Sequence, residues 1–390
     1  MNRQVTQPEH IILSILLEGN SFSITELSSA SGISVPTVTK YISKLIEKGL
    51  VENSGKVSIE HGRRPSRYKI KADSSLFVGV DIRPQALIIG IMDISGRFIL
   101  EEETPLAFSS TSETLEVICS RVENAIATSG IDPSLVRRIS FNISGRVNPR
   151  TGFSYSMFNL ENNDEPLSDI LSQRLGICSI IENDTRAMAY GELKLAVKDS
   201  FKNFLFINAG WGLGMSIIIG GEPYYGMDGY SGELGHTNVF DNEKMCHCGK
   251  KGCLETEVSG KAICAKFQQR LKEGKVSLLT PETHFTELDV IKAANKEDTL
   301  SIELIEQAGS LLGKQIANLI NIFNPEVVII GGTLATAGEF FIQPIKLAVR
   351  RYALRLMSKN MVIKASELGV KAGVCGACLL ARDHYFKSML

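Results

Sequence analysis

His236, Cys246, Cys248 and Cys253 lie within eighteen residues of one another, in GELGHTNVFDNEKMCHCGKKGCLE (232–255), although the chain holds only eight cysteines in 390 residues. One imidazole nitrogen and three thiolates form a donor set that closes a tetrahedron around zinc. A closed set of four is structural, whereas a catalytic zinc leaves one position to water. A structural Zn2+ is therefore the expected cofactor. Free thiols in a loop are the plain alternative, and the CxC spacing followed by GxxGC argues against them. His247 is a second candidate ligand, but it sits between two ligating cysteines and would have to fold back. A finger that touches DNA is disfavoured, because no basic recognition helix follows. The other close pair, CGAC at 375–378, has redox spacing but lies in a small-residue helical stretch, where helix packing is the simpler role.

Hydroxyls and lysines at helical spacing make the second chemical pattern. In SVPTVTKYISKLIEKG (34–49), Ser34 can cap, Pro36 sits in the first turn and Gly49 lies past the end. Val35, Val38, Ile42, Leu45 and Ile46 are expected on one face, and Thr37, Lys40, Tyr41, Lys44 and Lys48 on the other. HIILSILLEG and SITELSSASG before it read as two shorter helices, so the last two make a helix-turn-helix whose second helix enters the major groove. LVENSGKVSIEHGRRPSRYKI then reads as two strands around a loop, a wing carrying Arg63, Arg64 and Arg67 to phosphates or the minor groove. Residues 1–71 carry ten Lys and Arg against six Glu and no Asp, a surplus of +4 in a chain of net charge −1, so the remainder carries −5. A lysine stripe alone would be only a solvated face. Three helices, a basic wing and a basic head on an acidic body together point to DNA contact through Ser34, Thr37, Lys40, Tyr41, Lys44, Arg63, Arg64 and Arg67.

These groups need a scaffold larger than one ordinary core, and the length predicts two or three domains. No apolar run reaches the roughly 18 to 20 residues that span a bilayer, and the first apolar stretch is interrupted by Glu18, unlike a cleaved leader. A cytoplasmic protein without a membrane partner is expected. From residue 73, LFVGVDI, ALIIGIMDI and RFILEEETPL read as three successive strands. A helix, RISFNISGRV and the strand-to-helix stretch CSIIENDTRAMAYGELKLA follow. The pattern restarts with NFLFINAG, GMSIIIGG and a short strand near 222–225, then passes through the Cys-rich insertion and helices to PEVVIIGG, MVIKAS and a closing helix. Two related α/β lobes are predicted. The boundaries are 1–72 for a winged helix-turn-helix, 73–200 for a first lobe completed by a C-terminal helix at 372–390, and 201–371 for a second lobe with the metal site and an oligomerisation surface. Ligands in such folds tend to sit in the crevice between lobes.

GYSGELGH, followed after nine residues by CHCGKKGCLE, together with IENDTRAMAYGE and NPEVVIIGG, resembles the ROK family. That family joins sugar kinases and sugar-responsive transcriptional repressors on a two-lobed, actin-like ATPase (ribonuclease H-like) fold. The resemblance runs from about residue 77 to the C-terminus, and a winged head in front of it matches the repressor branch. It implies that Gly145, Asn183, Asp184, Glu233, His236 and Glu255 contact a sugar, whose hydroxyls suit carboxylates and amides that donate and accept in fixed directions. It implies too that Asp184 corresponds to the catalytic base and Asp81 to the acidic residue of the first phosphate loop. Kinases of the family resemble DIGGT there, whereas DIRPQ places Arg83 and Pro84 over two glycines, removing conformational freedom and an N–H donor. The second loop, GTGxG in the family, is GWGLG, with the chain's only tryptophan at Trp211. IIGGT at 329–333 still resembles the adenosine-side loop. The two changes oppose nucleotide binding and leave Asp184 a vestigial base in a degenerate kinase. SGRVNPRTG (144–152), with Gly145 and Arg146, resembles the segment that approaches the N-acetyl group in N-acetylmannosamine kinases, which points toward an amino sugar or its phosphate.

The expected protein is thus a repressor that binds operator DNA and a sugar effector. It would act as a homodimer or homotetramer, because single heads bind weakly and operators are commonly two-fold. An ATP-dependent sugar kinase with an added DNA-binding domain is the alternative, and a regulator switched by a protein partner is a third reading. Folding the Cys-rich loop around zinc would bring Glu233 and Glu255 toward one pocket, with one nitrogen of His236 on the metal and the other free for a sugar hydroxyl.

Overall fold

The structure, a computed structural model, describes residues 8–18, 21–56, 65–106, 109–158, 165–198, 200–281 and 284–388. The head consists of α1 (Pro8–Glu18), β1 (Phe22–Ser23), α2 (Ile24–Ser31), α3 (Val35–Glu47), β2 (Val51–Lys56) and β3 (Ser66–Ile70), with the strands in the order β1-β3-β2. Local chemistry sets these boundaries. The Ser23 hydroxyl accepts from the Glu26 amide at 3.2 Å while the Glu26 carboxylate accepts from the Ser23 amide at 2.7 Å, a reciprocal cap. Gly32 ends α2 at φ +69, and Ser34 with Pro36 opens α3.

Only part of the expected apolar face of α3 is covered. Val38, Ile42 and Leu45 are buried, whereas Val35 and Ile46 are exposed at 44% and 41%. Three helical positions suffice to seal so short a helix on α1 and α2, and the two flanking residues run past that seam. The outward face is centred on Pro36, Lys40, Ser43 and Glu47, while Thr37 and Tyr41 are half-buried at its edge.

The chain continues with β4 (Leu76–Ile82), β5 (Ala86–Asp93), β6 (Phe98–Pro105), α4 (Ser112–Thr128), β7 (Val136–Ile143), the short pair β8 (Val147–Asn148) and β9 (Phe153–Ser154), α5 (Leu167–Leu175) and β10 (Ser179–Asn183). Then come α6 (Asp184–Gly191), which runs into a π-helical turn over Glu192–Val197, β11 (Phe204–Ala209), β12 (Leu213–Ile219), β13 (Glu222–Pro223), α7 (Glu255–Val258), α8 (Gly260–Lys272), α9 (Glu287–Ala294) and α10 (Thr299–Phe323). β14 (Val327–Gly331), α11 (Glu339–Tyr352), α12 (Arg355–Ser358), β15 (Val362–Ala365) and α13 (Ala372–Ser388) close the chain. One five-stranded sheet has the order β10-β7-β4-β5-β6 and the other β15-β14-β11-β12-β13. In each, the first strand pairs antiparallel with the second and parallel with the fourth. The strand order is therefore the same twice over, the repeat that the sequence pattern predicts.

Two compact units result. One takes the chain up to Asn142, residues 158–181 and the end from Ala377; the other takes 143–157 and 182–376. The stretch 182–200, grouped from sequence with the first lobe, packs with the second unit, as do 143–157. Within the first unit, the core of the head (Ile12, Leu16, Leu27, Val38) is continuous with Phe77 of β4 and with Ala381 and Phe386 of α13. Phe77, Tyr385 and Phe386 stack at ring separations of 5.6 to 6.3 Å. Within the second unit, Phe267, Leu304, Ile316 and Phe341 pack over Ile207 and Ile330 of the sheet. The small residues of AGVCGAC serve packing as expected. A Cβ on Gly376 would stand 1.8 Å from the Ala187 carbonyl of α6, so two helical backbones meet there, and Cys375 and Cys378 are buried beside it. Among the described residues, no helix is long and apolar enough to cross a membrane.

Phe386 is 5% exposed and closes the seam between head and sheet. Phe386→Ala is expected to destabilise the chain by about 3 to 5 kcal/mol, read as a fall in denaturant midpoint and in thermal midpoint.

Candidate functional site

The four metal ligands expected from sequence come together. The donor atoms of His236, Cys246, Cys248 and Cys253 all lie within 4.8 Å of one another. Cys246 Sγ stands 3.6 Å from His236 Nδ1, and Cys248 Sγ stands 3.6 Å from Cys253 Sγ. Metal–sulfur bonds of about 2.3 Å and metal–nitrogen bonds of about 2.0 Å give tetrahedral edges of about 3.5 to 3.8 Å, so the set fits one four-coordinate ion. Burial pushes the Cys253 thiol up to about 12, and the neighbouring Cys248 and Cys246 add to the shift. Burial raises the Cys246 thiol as well, whereas backbone and neighbouring donors lower Cys248 despite its burial; a cation joining the three would favour their thiolates. His247 does not complete the tetrahedron; its Nδ1 lies 3.0 Å from Glu255 Oε1. A second grouping, Cys246 with His247 and Glu255, also lies within metal-binding distance, but it lacks a fourth donor.

The remaining sugar-site candidates all belong to the second unit and gather around the first residues of β12. The Thr185 hydroxyl, next to Asp184, lies so near Gly214 that a Cβ there would stand 2.3 Å from it. Gly232, at φ +92, is pressed on Met215, whose carbonyl would meet a Cβ at 2.1 Å. Glu255 Oε2 accepts from the Leu213 amide at 3.0 Å. Three chain segments, 184–185, 232–236 and 255, are thereby locked to one strand end, 213–215. Asn183 caps α6, its Oδ1 accepting from the Arg186 amide at 3.0 Å while its Nδ2 donates to Gly145 O at 3.0 Å. Asp184 Oδ2 accepts from the Ser144 hydroxyl at 2.6 Å and its Oδ1 from the Thr185 amide at 2.6 Å. His236 turns Nδ1 to the cysteines and Nε2 toward Glu233, 3.7 Å away. Ser144, Thr185, Arg186 and Glu182 are the participants that the sequence reasoning missed. The i, i+4 pairing of Glu182 with Arg186 is the one signal that could have flagged them.

The two expected phosphate loops are closed by the protein's own groups. In the first unit, Arg83 Nε donates to Asp81 Oδ2 at 2.9 Å and Asn142 donates to Asp81 Oδ1 at 3.2 Å. In the second unit, the turn between β11 and β12 lies across the start of α8. Gly210 O accepts from the Gly260 amide at 2.7 Å and Trp211 O from the Lys261 amide at 3.2 Å. Ser259 Oγ accepts from the Ala262 amide at 3.1 Å. The N–H groups with which a helix start holds anions are thus engaged.

On the head, Ser34 and Thr37 pair through their hydroxyls at 2.9 Å on the surface, and Lys40 is exposed. Two further expected DNA contacts also pair within the domain. Lys44 Nζ lies 2.6 Å from Glu9 Oε2, with Lys48 on the other oxygen, because the Glu9 carboxylate is buried and draws both cations. Arg67 spans Ser21 at 3.0 Å and Glu26 at 3.1 Å, which fixes the start of α2 to the wing. Arg63 and Arg64 lie outside the described residues.

A winged DNA-reading head on a duplicated α/β body with a Cys and His cluster that fits one metal ion defines a DNA-binding protein built on a sugar-kinase-like scaffold. The chain belongs to the ROK family, which residues 77–384 match, while residues 10–52 match a winged helix-turn-helix DNA-binding domain. It is 30% identical over 363 residues to the DNA-binding transcriptional dual regulator NagC of Escherichia coli K12, covering 92% of this chain and 88% of that protein. It is 26% identical over 376 residues to the xylose repressor of Caldicellulosiruptor bescii, covering 94% and 93%. Among solved structures, a ROK family transcriptional regulator homologous to E. coli Mlc superposes with a TM-score of 0.84 at 25% identity, covering 98% of this chain and 96% of that one.

Cys253→Ser removes a fully buried donor and is expected to cut metal affinity by more than about 100-fold, beyond the loss typical of an outer-shell change; metal retained after dialysis against a chelator measures it. Glu9 supplies a pH signature. Its burial opposes the charge, but Lys44 and Lys48 outweigh this and hold its carboxyl below the ordinary 4.5. The stabilisation is complete above that value and is lost as pH falls through the lowered folded value. Thermal unfolding between pH 6 and 3 should show a smaller acid loss for Glu9→Gln than for the native chain.

Proposed function

We propose that the protein is a sugar-responsive transcriptional repressor: α3 docks in the major groove of an operator and the second unit binds a sugar that alters operator affinity. The observation that carries this reading is one chain joining a winged head to a ROK body whose phosphate loops are occupied by its own side chains and carbonyls. The kinship with xylose repressors and NagC supports it. Operator contacts are assigned to Ser34, Thr37, Lys40 and Tyr41, with Thr39 and Ser43 added by their exposure on the outward face. A repressor of this kind works in the cytoplasm, where its operator is.

Gly145, Asn183, Asp184, Glu233, His236 and Glu255 form the sugar site. In it Asp184 accepts a hydroxyl hydrogen without relaying a proton to a phosphoryl transfer. Zinc in the His236, Cys246, Cys248 and Cys253 set is structural: it fixes the His236 ring and the spacing of Glu233 and Glu255, and so clamps the sugar site. The Gly145–Arg146 segment favours an N-acetylated sugar. Action as a homodimer or homotetramer is supported by exposed apolar side chains on the second unit, Ile322, Leu347, Leu354 and Leu356 among them.

Arg83 on Asp81, Pro84 and Trp211 argue against the kinase reading. Coupled assays with ATP and a panel of hexoses and N-acetylhexosamines should give turnover far below the ordinary range of about 1 to 1000 per second. Gel shifts should show operator binding altered by one sugar in the absence of ATP. Insensitivity to every sugar would favour a regulator switched by a protein partner, and turnover in the enzyme range would restore the kinase.

A further inference from the structure

Arg186, the third residue of α6, is 4% exposed, and its guanidinium is held on several sides. Nε donates to Glu182 Oε1 at 2.7 Å, one terminal nitrogen donates to Gly229 O at 2.6 Å, and the other donates to Val147 O at 3.0 Å. The group also lies 5.4 Å from the ring centre of Tyr225, and the Tyr225 hydroxyl donates to Glu182 Oε2 at 3.2 Å. Glu182 Oε1 accepts as well from the amide of Asn183.

The two carbonyls belong to different segments of the site. Val147 stands two residues after Gly145, and Gly229 stands four residues before Glu233. These segments already touch, since a Cβ on Gly229 would stand 3.2 Å from Val147 O. We infer that Arg186 is a positioning residue for the sugar site, clamping the Gly145 and Glu233 segments to the helix that begins at Asp184. The inference rests on reading those residues as sugar-binding.

The physics favours arginine specifically. Two carbonyl oxygens converging in a dry interior repel unless donors separate them, and a planar fork supplies two N–H groups at fixed spacing. A lysine carries the same charge at one point on a flexible stem and leaves one carbonyl unpaired. Burying the guanidinium requires the Glu182 charge beside it, and the Tyr225 hydroxyl and Asn183 amide fix that carboxylate. Sugar recognition depends on donors and acceptors held to within about half an ångström. A side chain that never meets the ligand therefore sets whether its contacts can be made together.

Calorimetry with glucose, xylose, N-acetylglucosamine and N-acetylmannosamine on the full chain, native and Arg186→Lys, tests this, alongside operator affinity and the thermal midpoint. The expected result is sugar binding at least tenfold weaker in Arg186→Lys, with a lower thermal midpoint, because one buried carbonyl loses its donor, and operator affinity unchanged at a temperature where both chains are folded. A sugar affinity within twofold of native, or an equal fall in sugar and operator affinity, would overturn the inference; the second pattern marks general structural support. If Arg186→Lys does not fold, Tyr225→Phe, which removes one hydrogen bond to Glu182, takes its place: several-fold weaker sugar binding supports the clamp, and unchanged binding refutes it. A native chain that binds none of the four sugars overturns the sugar-site reading and the clamp with it. Native binding without an effect of the variants overturns the clamp alone.

Discussion

The close approach of three segments to the first residues of β12 is the constraint on which the arrangement of the second unit's polar groups depends. Gly214 leaves room for the Thr185 hydroxyl, and Gly232 lets the GELGH segment lie against Met215. A side chain at either place would push the start of α6, or the loop that leads to the metal, away from the strand. The polar groups that follow are fixed because their backbones are fixed: Asp184 by Ser144 and its own next amide, Glu255 by Leu213, Asn183 by the helix it caps. The Cys and His cluster extends the same logic to the loop over 236–253, which carries little apolar mass of its own and is closed by its donor set.

Polar groups at the two corresponding strand turns are matched internally. Arg83 sits on Asp81 after β4, and after β11 the carbonyls of the 210–211 turn meet the first amides of α8. The same strand order thus carries two turns that are each held by the chain's own donors and acceptors. A ligand shifts such a body only by its differential affinity for one arrangement over another.

Much of this was legible in the sequence, and the reasons are local. The ligand spacing from His236 to Cys253 is a chain-proximal pattern, and so are the cap at Ser23 and the strand periodicity that announces the repeat, whereas the Ser34 hydroxyl pairs with Thr37 and does not cap. What escaped depends on residues far apart in sequence. Lys44 and Lys48 look like a solvated stripe until Glu9, thirty-five residues earlier, is seen beneath Lys44. Arg67 looks like a wing cation until it is found on Ser21 and Glu26. Arg186 reads as an ordinary helix residue, because its partners at Val147 and Gly229 lie about forty residues away on either side. The face of α3 was misjudged by its flanks, since the width of a buried stripe is set by the neighbouring helices and not by the helix itself.

The core of the head is not local either. Its apolar residues near the N-terminus close against Ala381 and Phe386, among the last residues of the chain. The head therefore cannot complete its core from its own helices and strands: cut off before β4, it would expose Ile12, Leu16 and Leu27 where Phe77 and Phe386 now cover them, so head and closing helix are expected to melt together.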